Sequence, residues 1–271
     1  MLIALTAWPG FIHAQWLNYP TQGIPRTADG KPKLSAPTPR AADGRPDLSG
    51  LWQTESAPPE MLERLIPGAT NGAGEEPLSQ YFINILFDFK PEDAPLLPAA
   101  AASFLQRAKD FSTESPLSHC LPEGMPLVEM APAPYKIIQT SGLALMLYER
   151  DTTFRQVHID GRKLPDDPQP SWLGYSVGKW DGDSLVVDSN GFNDRGWLDA
   201  RGHTHSEALH LTERFRRVDF GHMELRITID DPKTYSRPFT IQLKQHLIPD
   251  SDLLESFCAE NEKDASHSGV K

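Results

Sequence analysis

The chain has 271 residues, a formal net charge of −11 and 25 prolines. The acidic balance argues against a nucleic-acid partner, which needs a basic footprint, and against docking on anionic lipid. The length permits two domains, yet all-β domains of roughly 200–250 residues are common, and the prolines are scattered as loop and strand-end punctuation.

Leu2 to Ile12 is an apolar run, shorter than the roughly 20 residues that span a bilayer, and it ends in Ile12-His13-Ala14, small at its last position. Residues 1–14 therefore read as a signal-peptide-like segment, which predicts a periplasmic or secreted protein. The competing reading is a buried N-terminal strand. No other stretch is long and apolar enough for a membrane span.

Residues 15–47 form a Pro- and Gly-rich arm with a short repeat: Arg26-Thr-Ala-Asp-Gly-Lys-Pro-Lys-Leu-Ser35 recurs as Arg40-Ala-Ala-Asp-Gly-Arg-Pro-Asp-Leu-Ser49. Asp-Gly is a turn dipeptide and the following X-Pro is biased to extended backbone. The segment is too polar for a core of its own. It either drapes over the domain or moves.

The domain proper, 48–271, opens at Leu48-Ser-Gly-Leu-Trp52. A helical insertion is expected over about 60–111, with helices at 60–66 and 98–110. Between them, Gly68 to Glu76 is Gly-rich but lacks the Lys-Ser/Thr ending of a phosphate-binding loop. From Pro134, short alternating runs follow: Tyr135–Thr140, Leu143–Arg150, Phe154–Asp160, Trp172–Trp180, Ser184–Asp188, Ser206–Val218, His222–Asp231 and Arg237–Ile248. Breaks such as Asp181-Gly182 are hairpin signals. With Leu51-Trp52 as a first strand, the pattern predicts a mainly β fold, an antiparallel meander closing into a barrel. One strand face carries Leu209, Leu211 and Phe215, the next Met223, Leu225, Ile227 and Ile229, the last Phe239, Ile241 and Leu243. These are the core faces.

The two cysteines, Cys120 and Cys258, permit one disulfide in an exported chain. Two buried thiols are the alternative. A zinc site needs more ligands than these two.

The richest chemistry lies between Asn193 and Glu213. A polar loop containing Asp199 leads into His203-Thr-His205-Ser-Glu207, and Glu213 follows between Leu211 and Phe215. If the strand starts early, His203, His205, Glu207 and Glu213 share its core face. His203, His205 and Glu207 could then hold a divalent metal. The spacing departs from the cupin pattern, which places its Glu further past the second His. Two other readings stay open: metal-free acid–base work by His205, Glu207, Glu213 and Asp199, or a solvated loop with ordinary histidines. Glu213 on an apolar face needs a partner. Arg155 alternates with Val157 and Ile159 and can meet it, either as a structural pair or as part of a functional acid. Glu149 shares the face of Leu143, Leu145 and Leu147. His158, at a strand end beside Asp160, is a further candidate. Asp181, Asp183 and Asp230-Asp231-Pro232 read as turn residues. No serine-hydrolase or dinucleotide motif is present.

Gly50-Leu-Trp52 ahead of a meander is similar to the lipocalin and calycin barrels, whose first strand carries Gly-x-Trp. The whole chain resembles a widespread group of uncharacterised exported proteins of environmental bacteria. The matching stretches are Ala42-Asp-Gly-Arg-Pro-Asp-Leu-Ser-Gly-Leu-Trp52, Trp180-Asp-Gly-Asp-Ser-Leu-Val-Val187, Thr212-Glu-Arg-Phe-Arg-Arg217 and Cys258-Ala-Glu-Asn-Glu-Lys-Asp264. That resemblance implies export and fold class only. The expected function is binding of a small, mostly apolar molecule in the barrel, with cofactor-free lyase, isomerase, cyclase-type or hydrolytic chemistry as its enzymatic version. A metal-dependent enzyme and a non-catalytic envelope interaction protein are the alternatives.

Overall fold

The computed structural model describes residues 19–66, 78–107 and 114–258. The signal-peptide-like segment 1–14, the Gly-rich loop and the end of the expected 98–110 helix lie outside the described residues.

Nine strands close into one barrel in sequence order. They are β1 (Gly50–Thr54), β2 (Tyr135–Gln139), β3 (Leu143–Tyr148), β4 (Thr153–His158), β5 (Tyr175–Asp181), β6 (Ser184–Asn190), β7 (His210–Arg217), β8 (His222–Asp230) and β9 (Phe239–Leu247). β1 pairs with β9 to complete the circle, Trp52 opposite Leu247. Every pair is antiparallel except β4–β5, where Val157 lies beside Ser176 and His158 beside Val177. The exception follows from parity. An odd number of strands closes on itself only if one neighbouring pair runs parallel. The crossover 159–174, rich in Pro, carries the chain back from one end to the other, so the expected strand start at Trp172 shifts to Tyr175.

The short turns fit their residues. Gly182 sits at φ +58° between β5 and β6, a left-handed position that suits Gly, with open space around it. Inner faces alternate with outer ones. Tyr135 and Ile137, then Ala144, Met146 and Tyr148, then Leu185 and Val187, then Leu211 and Phe215 are buried. On β3 the leucine face, Leu143, Leu145 and Leu147, is the outer one and only half-buried. Both faces of that strand are apolar, so alternation alone could not orient it.

Strand direction sorts the connections into two ends. The insertion 55–134, the loop 191–209 and the turn 231–238 meet at one end. The hairpin tips at 140–142, 182–183 and 218–221 lie at the other, with the start of β1. The insertion carries α1 (Pro59–Leu65), α2 (Gln80–Ile83), α3 (Pro98–Arg107) and α4 (Leu127–Met130). Every residue of α4 is buried, so this turn plugs the insertion end. The sheet register predicts no such plug; it is a helix of four residues between prolines.

The arm drapes over the opposite end, and its repeat is a structural repeat. In the first copy Thr27 N donates to Lys31 O, Gly30 N to Thr27 O and Lys33 N to Pro25 O. In the second, Ala41 N donates to Arg45 O, Gly44 N to Ala41 O and Asp47 N to Pro39 O. Each leading arginine bonds its own turn glycine and reaches one carboxylate of the domain: Arg26 to Asp250, Arg40 to Asp183. Where the first copy ends, Leu34 and Ala36 are pinned to the β7–β8 turn by Gly221 N to Leu34 O (2.7 Å) and Phe220 N to Ala36 O (2.8 Å). Cys120 and Cys258 form a disulfide, with Cα atoms 5.4 Å apart. It ties the segment after β9 to the insertion. No described helix is long and apolar enough to cross a membrane.

Candidate functional site

The barrel interior holds a polar cluster built on Arg155, on the inner face of β4. Its Nη1 donates to Glu213 Oε1 at 3.0 Å and to Glu129 Oε1 at 3.0 Å, and its Nη2 reaches Glu213 Oε2. Nε donates to Ser176 Oγ and Nη2 to Ser189 Oγ, both at 2.9 Å, and the two hydroxyls bond each other. The guanidinium donors are thereby consumed within the protein. Arg155 and Glu213 thus meet, as the alternation of their strands allows.

Glu129, on α4, is the member that sequence reasoning missed. It sits in Met125-Pro-Leu-Val-Glu-Met-Ala-Pro132, an apolar run bounded by prolines, and a lone acid in such a run is the signal that could have found it. Its Oε1 accepts from Arg155 and from Tyr148 Oη at 2.8 Å, while Oε2 is buried with no partner. Burial first, then the nearby Glu213 charge, push its pKa well above the usual carboxylate range. Two carboxylates around one guanidinium leave an excess negative charge in the core, which favours the protonated form of Glu129. Tyr135, Gln245 and Thr54 extend the network to the α4 backbone: Tyr135 Oη bonds Gln245, Gln245 Nε2 faces Thr54 Oγ1, and Thr54 Oγ1 donates to Glu129 O.

A second cluster stands on the 191–209 loop at the insertion end. Asp199 is fully buried. Its Oδ2 accepts from Ile85 N (2.7 Å) and faces His203 Nδ1 at 2.5 Å, and its Oδ1 accepts from Arg201 N and His203 N. The His203 ring stacks on Phe104 of α3, centroids 4.1 Å apart. His205 is also buried. Its Nδ1 lies 3.0 Å from Ser206 O, which makes Nδ1 the protonated nitrogen, and its Nε2 faces Gly196 so closely that a Cβ there would lie 2.8 Å away. Burial lowers its pKa.

The expected early strand start does not occur: β7 begins at His210. Asp231, read from the sequence as a turn residue, is buried and accepts from Ser206 N, Ser206 Oγ and Thr234 Oγ1. That grip turns the chain at 206–209 and throws Glu207 outward. Glu207 is exposed, on the wall of a depression of about 410 Å³ with Lys233 and His210. The trio His203, His205 and Glu207 is therefore not gathered, and among the described residues no three His, Cys, Asp or Glu side chains are grouped as a metal ion requires. Nor do the acid–base candidates form one site. Asp199 joins His203 and Glu213 joins Arg155, whereas Glu207 faces outward. His158 packs half-buried against Tyr175 at the end of β4, ring centroids 5.3 Å apart.

A further cavity lies elsewhere, at the arm end of the barrel. About 760 Å³ lies between the barrel wall, the arm and the segment after β9. Leu51, Leu247 and Ile248 form its inner wall, Ile24 and Pro20 its outer one, and Lys136 and Asp252 pair at its edge at 3.1 Å. Arg217 also borders it. Its guanidinium lies between the rings of Trp52 (4.9 Å) and Phe220 (5.0 Å) and donates to the carbonyls of Asp47, Ser49 and Phe220. Burial brings its pKa down to about 10. A smaller cavity of about 310 Å³, walled by Phe82, Leu127 and Trp197, sits at the insertion end beside the Glu123–Arg150 pair.

Comparison with protein-family models, curated proteins and solved structures gave no match to this chain.

Proposed function

We propose that this chain is an exported protein of the bacterial group its motifs resemble, and that it binds a small, mostly apolar molecule in the cavity at the arm end. The observation that carries this reading is the contrast in space. Glu213, Glu129 and Arg155 bind one another in the lumen, while a cavity of about 760 Å³, whose wall includes Pro20, Ile24, Leu51, Leu247 and Ile248, lies under the arm. Sites for small ligands span roughly 300–1,000 Å³ and combine apolar walls with a few polar groups. Lys136, Asp252, Ser49 and Ser251 supply those groups. The disulfide suits an oxidising compartment.

Fluorescence titration with anilinonaphthalene sulfonate tests the reading. The wild-type protein should bind one dye with blue-shifted emission. Ile24→Trp, which fills the cavity from the arm side, should weaken binding about tenfold or more with an unchanged melting temperature. Equal binding by the variant would place the dye elsewhere and contradict the proposal.

One observation favours a second, catalytic reading: Asp199 fixes His203 through Nδ1, the arrangement that leaves Nε2 as a general base. Phe104 covers that ring, so this reading needs α3 to move.

A further inference from the structure

We infer that the Arg26–Asp250 ion pair is the latch of the cavity, and that a ligand enters by release of arm residues 19–33 from Asp250. The inference rests on the binding reading above and adds how that site is opened.

The cavity has one fixed and one removable wall. The fixed wall is sheet: Gly50 and Leu51 on β1, Lys136 on β2, Leu247 on β9. The removable wall is Tyr19 to Ile24 of the arm. Beyond Leu34 the arm is held at many points. Leu34 and Ala36 bond the β7–β8 turn, Thr38 Oγ1 donates to Arg217 O, and Arg40 grips Asp183 through both carboxylate oxygens at 2.6 and 2.8 Å.

Residues 19–33 differ. Among the described residues, each of their hydrogen bonds to a residue beyond the arm ends on Asp250. Arg26 Nη2 donates to Oδ1 at 2.5 Å and Nη1 to Oδ2 at 3.1 Å. Thr21 N donates to Oδ1 at 2.8 Å, and Asp250 N donates to Thr21 Oγ1 at 3.1 Å. Among the described residues a single aspartate thus carries the polar attachment of 19–33 to the domain. It is poised for this by its backbone, at φ 58°, a left-handed position that Asp and Asn tolerate and most residues avoid. Both partners keep solvent contact, with side chains 27% and 20% exposed, so the pair can part into water without stranding a buried charge. The turn of the first copy, residues 25–33, closed by its own hydrogen bonds, then moves as a unit about the pin at Leu34–Ala36.

A cover that must open before entry scales both rates together, because opening precedes binding and unbinding alike. Stopped-flow fluorescence with anilinonaphthalene sulfonate reads both. Asp250→Asn keeps the left-handed backbone and removes the charge; Arg26→Gln removes the other half. Each should raise the association and the dissociation rate by about five- to tenfold, with Kd changed less than about twofold. Asp183→Asn, which cuts the second clasp and does not line the cavity, should leave both rates as in the wild type. Unchanged rates in Asp250→Asn and Arg26→Gln would overturn the latch. So would a rise in the dissociation rate alone, since that would make the arm a mere contact wall. A wild-type protein that binds no dye, or binds it equally after Ile24→Trp, would instead defeat the binding reading itself.

Discussion

The two ends of this barrel use their residues in opposite ways. At the insertion end, and in the lumen below it, acids, arginine and histidines are spent on one another. Arg155 is enclosed by Glu213, Glu129, Ser176 and Ser189; Asp199 holds His203; Asp231 holds Ser206. At the arm end lies a cavity of about 760 Å³ whose described lining includes none of the candidate histidines or of Glu207, Glu213, Arg155 and Asp199. The lesson is that a dense run of chemically capable residues marks where a barrel is plugged as readily as where it works, and that space must be located separately from chemistry.

Breaking the plugged side should cost the most. Arg155→Met leaves two buried carboxylates without their cation, and it should destabilise by about 3–5 kcal/mol in urea melts. Glu213→Gln should cost less, about 2 kcal/mol, because Glu129 can then release its proton and become the counterion. Equal losses in the two variants would mean that Glu129 does not act as the reserve acid. Dye affinity should survive in whatever fraction of either variant remains folded.

The disulfide is next. The loop it closes has a sequence separation of 138 residues, for which chain entropy predicts about 4–5 kcal/mol at most, and measured values commonly fall nearer 2–4 kcal/mol. Cys120→Ser with Cys258→Ser should lower stability by that amount. It should also raise hydrogen exchange selectively over 249–256, the segment that carries the latch. Uniform exchange across the barrel would place the effect elsewhere.

Much of the fold was legible because the turns and strand faces are local. Asp181-Gly182 announced a hairpin tip, and the apolar positions of β7, β8 and β9 gave their core faces correctly. The failures have physical causes. Glu129 was hidden because a buried acid looks like an interruption in an apolar run until its partner, from β4, is in place. Glu207 was placed inward because strict alternation was carried through a segment that Asp231, from another loop, bends. The parallel β4–β5 pair depends on closure of the whole ring, which no window of sequence contains. The cavity was invisible for the same reason: its latch joins Thr21 and Arg26 to Asp250 across more than two hundred residues.

A pH series sharpens the comparison without breaking it. Glu129 has a folded pKa raised by burial, so the folded state holds a proton that the unfolded chain gives up. Its contribution to stability is full below the ordinary carboxylate range and falls as pH rises toward the raised value. The difference in stability between wild type and Glu129→Gln should therefore shift in favour of the variant between pH 5 and pH 8, by urea denaturation. A pH-independent difference would show that Glu129 is not protonated in the fold. The smallest effect belongs to Gly182→Val. Open space surrounds the position, so only the left-handed backbone resists, and a loss of about 1 kcal/mol is expected. An unchanged melting temperature would contradict that geometry.

The central claim is that the ligand site lies under the arm and not in the lumen. Methyl-resolved NMR during titration with anilinonaphthalene sulfonate tests it most directly. The account predicts shifts at Ile24, Leu51, Leu247 and Ile248, with Leu211, Leu225, Ile227 and Val187 unmoved. Shifts concentrated on those four lumen methyls, with Ile24 and Ile248 silent, would contradict it.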